Sequence, residues 1–403
     1  MHKAVFFVLT CCSLSLSACT PPGTSPSAAF GSSAPAGSEG IREISTAETD
    51  AASIDEPCDL PSTIREDDWP STLAPTLPGS PEAPLDGATT LAVLPDTQYY
   101  ASCKNGHLLK QSQWLSEQAK SRGILAAVQL GDLTEHNSED EWQFVVDGLA
   151  PLRKAMPLLV STGNHDFGDA GSANRRTTFF QKYFSKPAAP TASVVAELMR
   201  PGDYENAYYR IANKGIQLGV LIVEWSPRTK TVEWAQSVLK KYQRDRVIFI
   251  THAYLYYDGT RYDWASKGAA QKWNPRSYGT AKKDPEQPSG EENWAEAGAY
   301  DGEMLWQQLL IDHPGVFLTL NGHVLGDGSG LLLSRGNQGN LVAQVLVNYQ
   351  MLDEGGLGYL RLIEIAPDGK SLQMKTYSPS LDLTATAPDQ QFDVPIDPPL
   401  YDK

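Results

Sequence analysis

Seven short apolar runs, each stopping at a polar turn, constrain this chain more than any other feature. They are Leu91–Leu94, Leu125–Leu130, Leu158–Val160, Gln217–Val223, Val247–Ile250, Val316–Leu320 and Val342–Val347. Each is too short for a buried helix and is bounded by turn residues, so each reads as a buried strand. Helical patterns lie among them. Leu108 to Lys120 is one, stopped near Gly123. Ser138-Glu139-Asp140-Glu141 reads as a capping box ahead of Trp142, Val145, Val146 and Leu149 at helical spacing. Thr231–Tyr242 and Glu303–Ile311 are two more. Gly358–Tyr377 reads as a hairpin turning at Pro367-Asp368-Gly369. Strand alternating with helix predicts an α/β domain with largely buried sheets.

The chain has 403 residues and a net charge of −15. A body that tracks duplex DNA or anionic lipid is basic, so general nucleic-acid binding is excluded. No apolar run is long enough to cross a membrane. The acid is unevenly spread: residues 1–86 carry three bases against twelve acids, and 11 of the 28 prolines.

Residues 4–18 form an apolar signal core behind Lys3, ending in Leu16-Ser17-Ala18-Cys19. That tetrad resembles the lipobox of bacterial lipoproteins. The resemblance implies cleavage after Ala18, lipid on Cys19, and export to the cell envelope, at the outer membrane in a Gram-negative host. Residues 19–86, rich in Pro, Ser and Ala, are expected to be a flexible lipid-anchored tether. The remaining 87–403 would be one catalytic domain. Of the five cysteines, Cys58 and Cys103 stay in the body, and an oxidising compartment favours a disulfide between them.

The polar residues of interest follow the apolar runs directly. Asp96 and Gln98 follow the first, Gly131-Asp132 the second, and Gly163-Asn164-His165-Asp166 the third. Thr251-His252 and Asn321-Gly322-His323 follow two later ones. In open α/β sheets, ligands bind beyond the carboxyl ends of strands. Asp, Asn and His at five such ends describe a metal-binding face.

Taken in order, these elements resemble the calcineurin-like metallophosphoesterase family, across Asp96 to His323. The resemblance implies two packed, mixed β-sheets flanked by helices, and two divalent metal ions such as Mn, Fe or Zn. It places Asp96 and Gln98 at the first metal, Asp132 between the two, and Asn164, His252 and His323 at the second. His165 would be the catalytic imidazole and proton donor, with Asp166 as its orienting carboxylate. The activity implied is hydrolysis of a phosphomonoester or phosphodiester by metal-activated hydroxide. Two cations held about 3.5–4 Å apart by a bridging carboxylate suit that chemistry.

The chain departs from the family pattern twice. Gln98 stands where a His is usual. The last element runs Gly322-His323-Val324-Leu325, without the usual second His. The first metal site is therefore expected to be weak or labile, with an oxygen-preferring cation such as Mn²⁺ or Mg²⁺, or a labile Fe²⁺. Asp327 and Asn348 are candidate replacement ligands. A thin first site also leaves open a non-catalytic, phospholigand-binding protein with a degraded centre, or a structural envelope module.

Residues 253–300 separate two ligand elements and are rich in Tyr and Trp. A loop that long is expected to form a folded rim or an aromatic mini-core. Arg261, Arg276 and His136 are candidate phosphate contacts, while His107 and His313 read as structural. The partner expected is a phosphoester substrate, with membrane contact through the anchor only and the protein a monomer.

Overall fold

All seven apolar runs are strands. The computed structural model of the chain describes residues 73–282, 299–325 and 328–401. The strands are β1 (Thr76–Pro78), β2 (Thr89–Leu94), β3 (Ile124–Gln129), β4 (Leu158–Val160), β5 (Val195–Leu198), β6 (Ala207–Asn213), β7 (Ile216–Ile222) and β8 (Arg246–Ile250). They continue with β9 (Val316–Asn321), β10 (Ser329–Arg335), β11 (Leu341–Val347), β12 (Leu360–Ile365), β13 (Ser371–Ser378), β14 (Leu383–Ala385) and β15 (Phe392–Pro395).

They form two mixed sheets. One runs β1-β14-β13-β12-β2-β3-β4, with β15 also on β13; the other runs β10-β11-β9-β8-β7-β6-β5. Within the first, β2, β3 and β4 are parallel. Within the second, β7, β8, β9 and β11 are parallel. Buried side chains from both sheets, among them Val93, Val128, Leu159, Ile222, Ile250, Leu320 and Val345, make one core between them. Removing such side chains from water contributes roughly 1.5–3 kcal/mol each.

Helices cover the outer faces. Leu108, Leu115, Trp142, Val145 and Leu152 pack on the outer side of the first sheet. Val232, Ala235, Val238 and Leu239 of the helix Thr229–Lys241 pack on the second. The capping box forms as expected, with Ser138 Oγ accepting from the Glu141 N–H and the helix Glu139–Gly148 following. Such a cap contributes about 1 kcal/mol. The expected hairpin is β12–β13, antiparallel with Ile365 opposite Leu372. The expected helix at Glu303–Ile311 starts as one α-turn, Gly302–Leu305, and widens into a π-turn over Trp306–Leu310. Among the described residues, no helix is long and apolar enough to cross a membrane.

The folded part begins before the expected boundary at residue 87. Leu73 is buried in the core between the sheets. Thr76 pairs with Ala385, and the carbonyl oxygens of Pro81 and Glu82 accept from the buried Arg122. Proline density marked residues 73–86 as tether; edge pairing with β14 and a guanidinium that needs acceptors hold them in place. Residues 1–72, with Cys19 and Cys58, lie outside the described residues. Cys103 is disulfide-bonded.

Candidate metal centre

The parallel strands of both sheets end at the same place. Asp96 follows β2, Asp132 follows β3, and Asn164 and His165 follow β4. His252 follows β8, His323 follows β9, and Asn348 follows β11. The turns are built for close approach. A Cβ on Gly163 would lie 2.2 Å from Asp132 N and Oδ1, and one on Gly322 would lie 1.9 Å from Asp96 Oδ1. Only glycine lets those main chains pass so near the carboxylates. Asp132 and His323 themselves take left-handed backbone, with φ of 49° and 73°. Such strain on non-glycine residues costs of order 1–3 kcal/mol and clusters at functional sites.

Asp132, His252 and His323 bring one ligand atom each within 4.8 Å of one another, all buried. The two imidazoles are pre-set as ligands. His252 Nδ1 donates to the Leu130 carbonyl at 2.8 Å, which leaves Nε2 as the free donor pair. That Nε2 sits 3.2 Å from Asp132 Oδ2 without hydrogen-bond alignment. His323 Nε2 donates to the Trp273 carbonyl at 2.7 Å, which leaves Nδ1 free. Fixing the far nitrogen is the usual way a protein orients a ligating His. Trp225 backs both rings, at 5.6 Å and 5.1 Å between centroids.

The electrostatics separate the two rings: the carboxylates favour a proton on His252, which a cation would displace, while His323 is driven down. Burial pushes the Asp132 carboxyl up, but His252 and His165 overcome it and hold it at about 2. Burial lowers His252, yet Asp132 and Asp96 carry it up to about 9. Burial first, and His252 next, drive His323 down to about 3, so its ring is neutral. Asn164 Oδ1 and Gln98 Oε1 are buried with no hydrogen-bond partner. A buried polar atom without a partner costs about 1–3 kcal/mol, which a cation would offset. The residues present therefore fit a divalent ion beside Asp132, Asn164, His252 and His323.

The other half is different. Asp96 accepts from the His323 N–H at 2.9 Å and 3.2 Å, and from the Asn348 amide at 3.1 Å. Burial, with Asp132 adding to it, pushes its carboxyl up to about 8. Gln98 turns its amide N–H toward Asp132 Oδ2 at 3.3 Å. Asn348 donates to Asp96 and to the Val324 carbonyl, and its own oxygen accepts from Gln350 N, so it is not placed as a replacement ligand. Asp327 lies outside the described residues. Leu325, where the family has a His, packs with Tyr99, Met351 and Trp273.

His165 lines the cavity with Asp132, Asn164 and His323. Its orienting carboxylate is Glu135, not Asp166. His165 Nδ1 donates to the Glu135 carbonyl at 3.0 Å and lies 3.3 Å from Glu135 Oε2. Burial lowers His165, but Asp132 and Glu135 outweigh it, and the ring is held above its ordinary value. Asp166 instead accepts from the N–H groups of Leu133, Thr134 and Gly163 and from the Thr134 hydroxyl. It clamps the Asp132 turn to the Asn164 turn. Spacing put Asp166 next to His165 in sequence, but the 3₁₀ turn Asn164–Asp166 sends the two side chains opposite ways.

The three candidate phosphate contacts are elsewhere. Arg261 spends its guanidinium on Gln344, Glu303 and Ser334, over the Trp306 ring at 4.2 Å. Arg276 donates to the Ala299 carbonyl and lines a separate cleft with Asp263 and Asp301. His136 pairs with Glu141 at 2.8 Å beside the helix cap. The described residues of the 253–300 segment are both core and rim. Tyr254, Tyr256 and Tyr262 are buried against the second sheet, while Trp273 and Tyr278 reach the cavity. His107 and His313 are structural, on Glu354 and Ser380 and on the Leu239 carbonyl.

The aromatic rim expected over 253–300 supplies Trp273 and Tyr278, whereas sequence reasoning missed Glu135, Tyr99 and Gln350. Glu135 carried a signal, an acid three residues after Asp132 in the same turn. The Trp273 contribution is a main-chain carbonyl, which no sequence pattern reveals.

The fold and the site define the class: a two-sheet α/β domain with a buried Asp–His–His metal triad. Residues 89–283 match the calcineurin-like phosphoesterase family, a little under half of the chain. The chain is 25% identical over 311 residues to the uncharacterized protein YvnB of Bacillus subtilis (strain 168), covering 73% of this chain and 20% of that protein. It thus spans about a fifth of the length of the curated relative it matches. Among solved structures, the purple acid phosphatase PPD1 of yellow lupin aligns at TM-score 0.42 and 17% identity, over 78% of this chain and 55% of that one. GAP50 of Plasmodium aligns at 0.41 and 11%, over 77% and 88%.

Proposed function

We propose that the protein hydrolyses phosphoester bonds, using Asp132, Asn164, His252 and His323 around one divalent ion and Asp96, Gln98 and Asp132 around a weaker second one. The observation that carries this reading is the set of buried donors left free at one point, with His165 on the same cavity. Divalent cations bound there supply Lewis acidity and an activated water. The chain's own residues orient and protonate. Asp132 keeps its charge, the Leu130 and Trp273 carbonyls fix the two ligand rings, and Asp132 with Glu135 raises His165 above its ordinary value while the Glu135 carbonyl orients its ring. A protonated imidazole there donates to the leaving oxygen.

Purified protein with Mn²⁺ is expected to cleave p-nitrophenyl phosphate or its bis-ester, and to lose that activity when Asp132→Ala and His165→Ala are combined. Activity that survives the double substitution removes the mechanism. The crowded Asp96 half favours one alternative, a phospholigand-binding protein with a single tight metal. Tight binding of one metal per chain together with no turnover of any phosphoester would select it.

Location belongs to the same proposal. The Leu16-Ser17-Ala18-Cys19 tetrad supports a lipid anchor at Cys19 and a place at the bacterial cell envelope. In a bacterial host, labelled palmitate is expected on the full chain and not on Cys19→Ser; equal labelling of both would remove the anchor.

A further inference from the structure

The cavity at the metal centre is small, and the described residues of its rim are aromatic, apolar or amide. It holds about 70 Å³. Pockets that enclose a whole ligand measure roughly 300–1,000 Å³. A cavity of that size suits the reacting phosphoryl group alone, which would leave the groups esterified to it over the rim. Beside the ligands and His165, that rim is Tyr99, Trp273, Tyr278, Leu325 and Gln350. Among the described residues lining it there is no Lys or Arg, and Arg261 and Arg276 are committed elsewhere.

A phosphomonoester carries two negative charges on oxygens that must all be satisfied. A phosphodiester carries one, and replaces a charged oxygen by an ester oxygen with a carbon group attached. Placing the extra charge against the apolar Tyr99–Trp273–Leu325 wall, away from the ions held at Asp132, His252 and His323, is costly. Placing a flat carbon group there is favourable. Leu325 is the key position. Where the family has a metal-binding His, this chain has an isobutyl group packed with Tyr99, Met351 and Trp273 in a separate apolar cluster. Trp273 and Tyr278 are half-buried, and Tyr278 stands edge-on to Trp225 at 5.1 Å.

We propose that the site selects phosphodiesters bearing a flat, uncharged alcohol group, seated on the Tyr99–Trp273–Leu325 wall, over phosphomonoesters. This rests on the hydrolase reading above. In the reaction, a water oxygen bonds to phosphorus and one P–O ester bond breaks. The attacking water gives up a proton to solvent, the leaving oxygen takes one from His165, which solvent then reprotonates, and an alcohol and a phosphomonoester result. The monoester carries the second charge that the rim does not meet, so it leaves as product.

The test compares kcat/KM for bis(p-nitrophenyl) phosphate and p-nitrophenyl phosphate on the full chain with Mn²⁺. It also compares the calorimetric affinities of diphenyl phosphate and phenyl phosphate for the same protein. The diester is expected to lead by tenfold or more in both. Leu325→Arg is expected to cut that lead at least fivefold. Trp273→Ala, at a half-buried position, is expected to do the same and guards against a folding defect at Leu325. Hydrolysis that favours the monoester, or a lead unmoved in both variants, overturns this proposal and leaves the hydrolase reading standing. Hydrolysis of neither ester overturns both.

Discussion

In the His252–His323 half of the centre, the ring nitrogen facing away from the cavity is held by a main-chain carbonyl, and the other nitrogen is left free. In the Asp96–Gln98 half, the carboxylate already accepts from the His323 N–H and the Asn348 amide, and the glutamine offers its N–H toward Asp132. The two halves share Asp132 and an equal depth of burial, yet only one is pre-organised for a cation. Burial alone does not make a metal site. What makes one is a donor atom that the rest of the fold has been arranged to leave unpaired.

Asp132 belongs to both halves, so its loss should be the most severe. Asp132→Ala is expected to lower kcat/KM by about 10³-fold or more, since several kcal/mol of charge stabilisation disappear. A smaller loss in steady-state assays would mean that the halves do not depend on a shared bridge.

The buried Glu224 network backs the His252–His323 half. Glu224 binds Arg228 through both oxygens, and Arg176, 3.7 Å from Glu224, donates to the carbonyls of Trp225 and Ser226, behind the ligand rings. Burial raises the Glu224 carboxyl, but Arg228 and Arg176 hold it at about 2. Its folded value is below its ordinary 4.5, so its contribution to stability is present above pH 4.5 and is lost as pH falls toward 2. Glu224→Ala strands two buried guanidinium groups and is expected to destabilise by about 3–5 kcal/mol. Thermal melts at neutral pH check it, and the deficit should shrink in acid.

The halves can be separated by paired substitutions. His252→Ala is expected to abolish tight metal binding, whereas Gln98→Ala should cost roughly 10–100-fold in activity and leave one metal per chain. Equal metal loss in both variants, by elemental analysis, would erase the distinction. Glu135→Gln, which removes the carboxylate beside His165, is expected to cost about tenfold in kcat with little change in KM. Leu325→His should have the smallest effect on rate but raise the bound metal toward two per chain. If the stoichiometry stays unchanged, the crowding at Asp96, and not the missing imidazole, limits the first half.

Much of this was legible in the chain. Runs of β-branched and Leu residues placed β2, β3, β4, β7, β8, β9 and β11, because a strand buried on both faces has no alternation to misread. The strands without that signature were missed. β10 reads Ser329–Arg335 with exposed leucines, and β14 and β15 are three and four residues long. The ligand elements were visible because each sits two to five residues past a strand end. Asp166 was misassigned because adjacency in sequence says nothing about which way two side chains leave a tight turn. Arg261 was misassigned because a charged residue in an aromatic loop looks the same whether it meets a substrate or Gln344.

The sequence by itself determined which residue types stand at the ends of the parallel strands, and hence an α/β domain with a metal-binding face. It also carried the two departures, Gln98 and Leu325, that thin the first half. Only the tertiary structure decided which atoms of those residues are free. That depends on carbonyls from Leu130 and Trp273, an amide from Asn348 and a carboxylate from Glu135, all brought in from other turns. A hydrogen bond to a main-chain group leaves no mark on side-chain identity, yet at this site such bonds set which nitrogen of each ring faces the cavity.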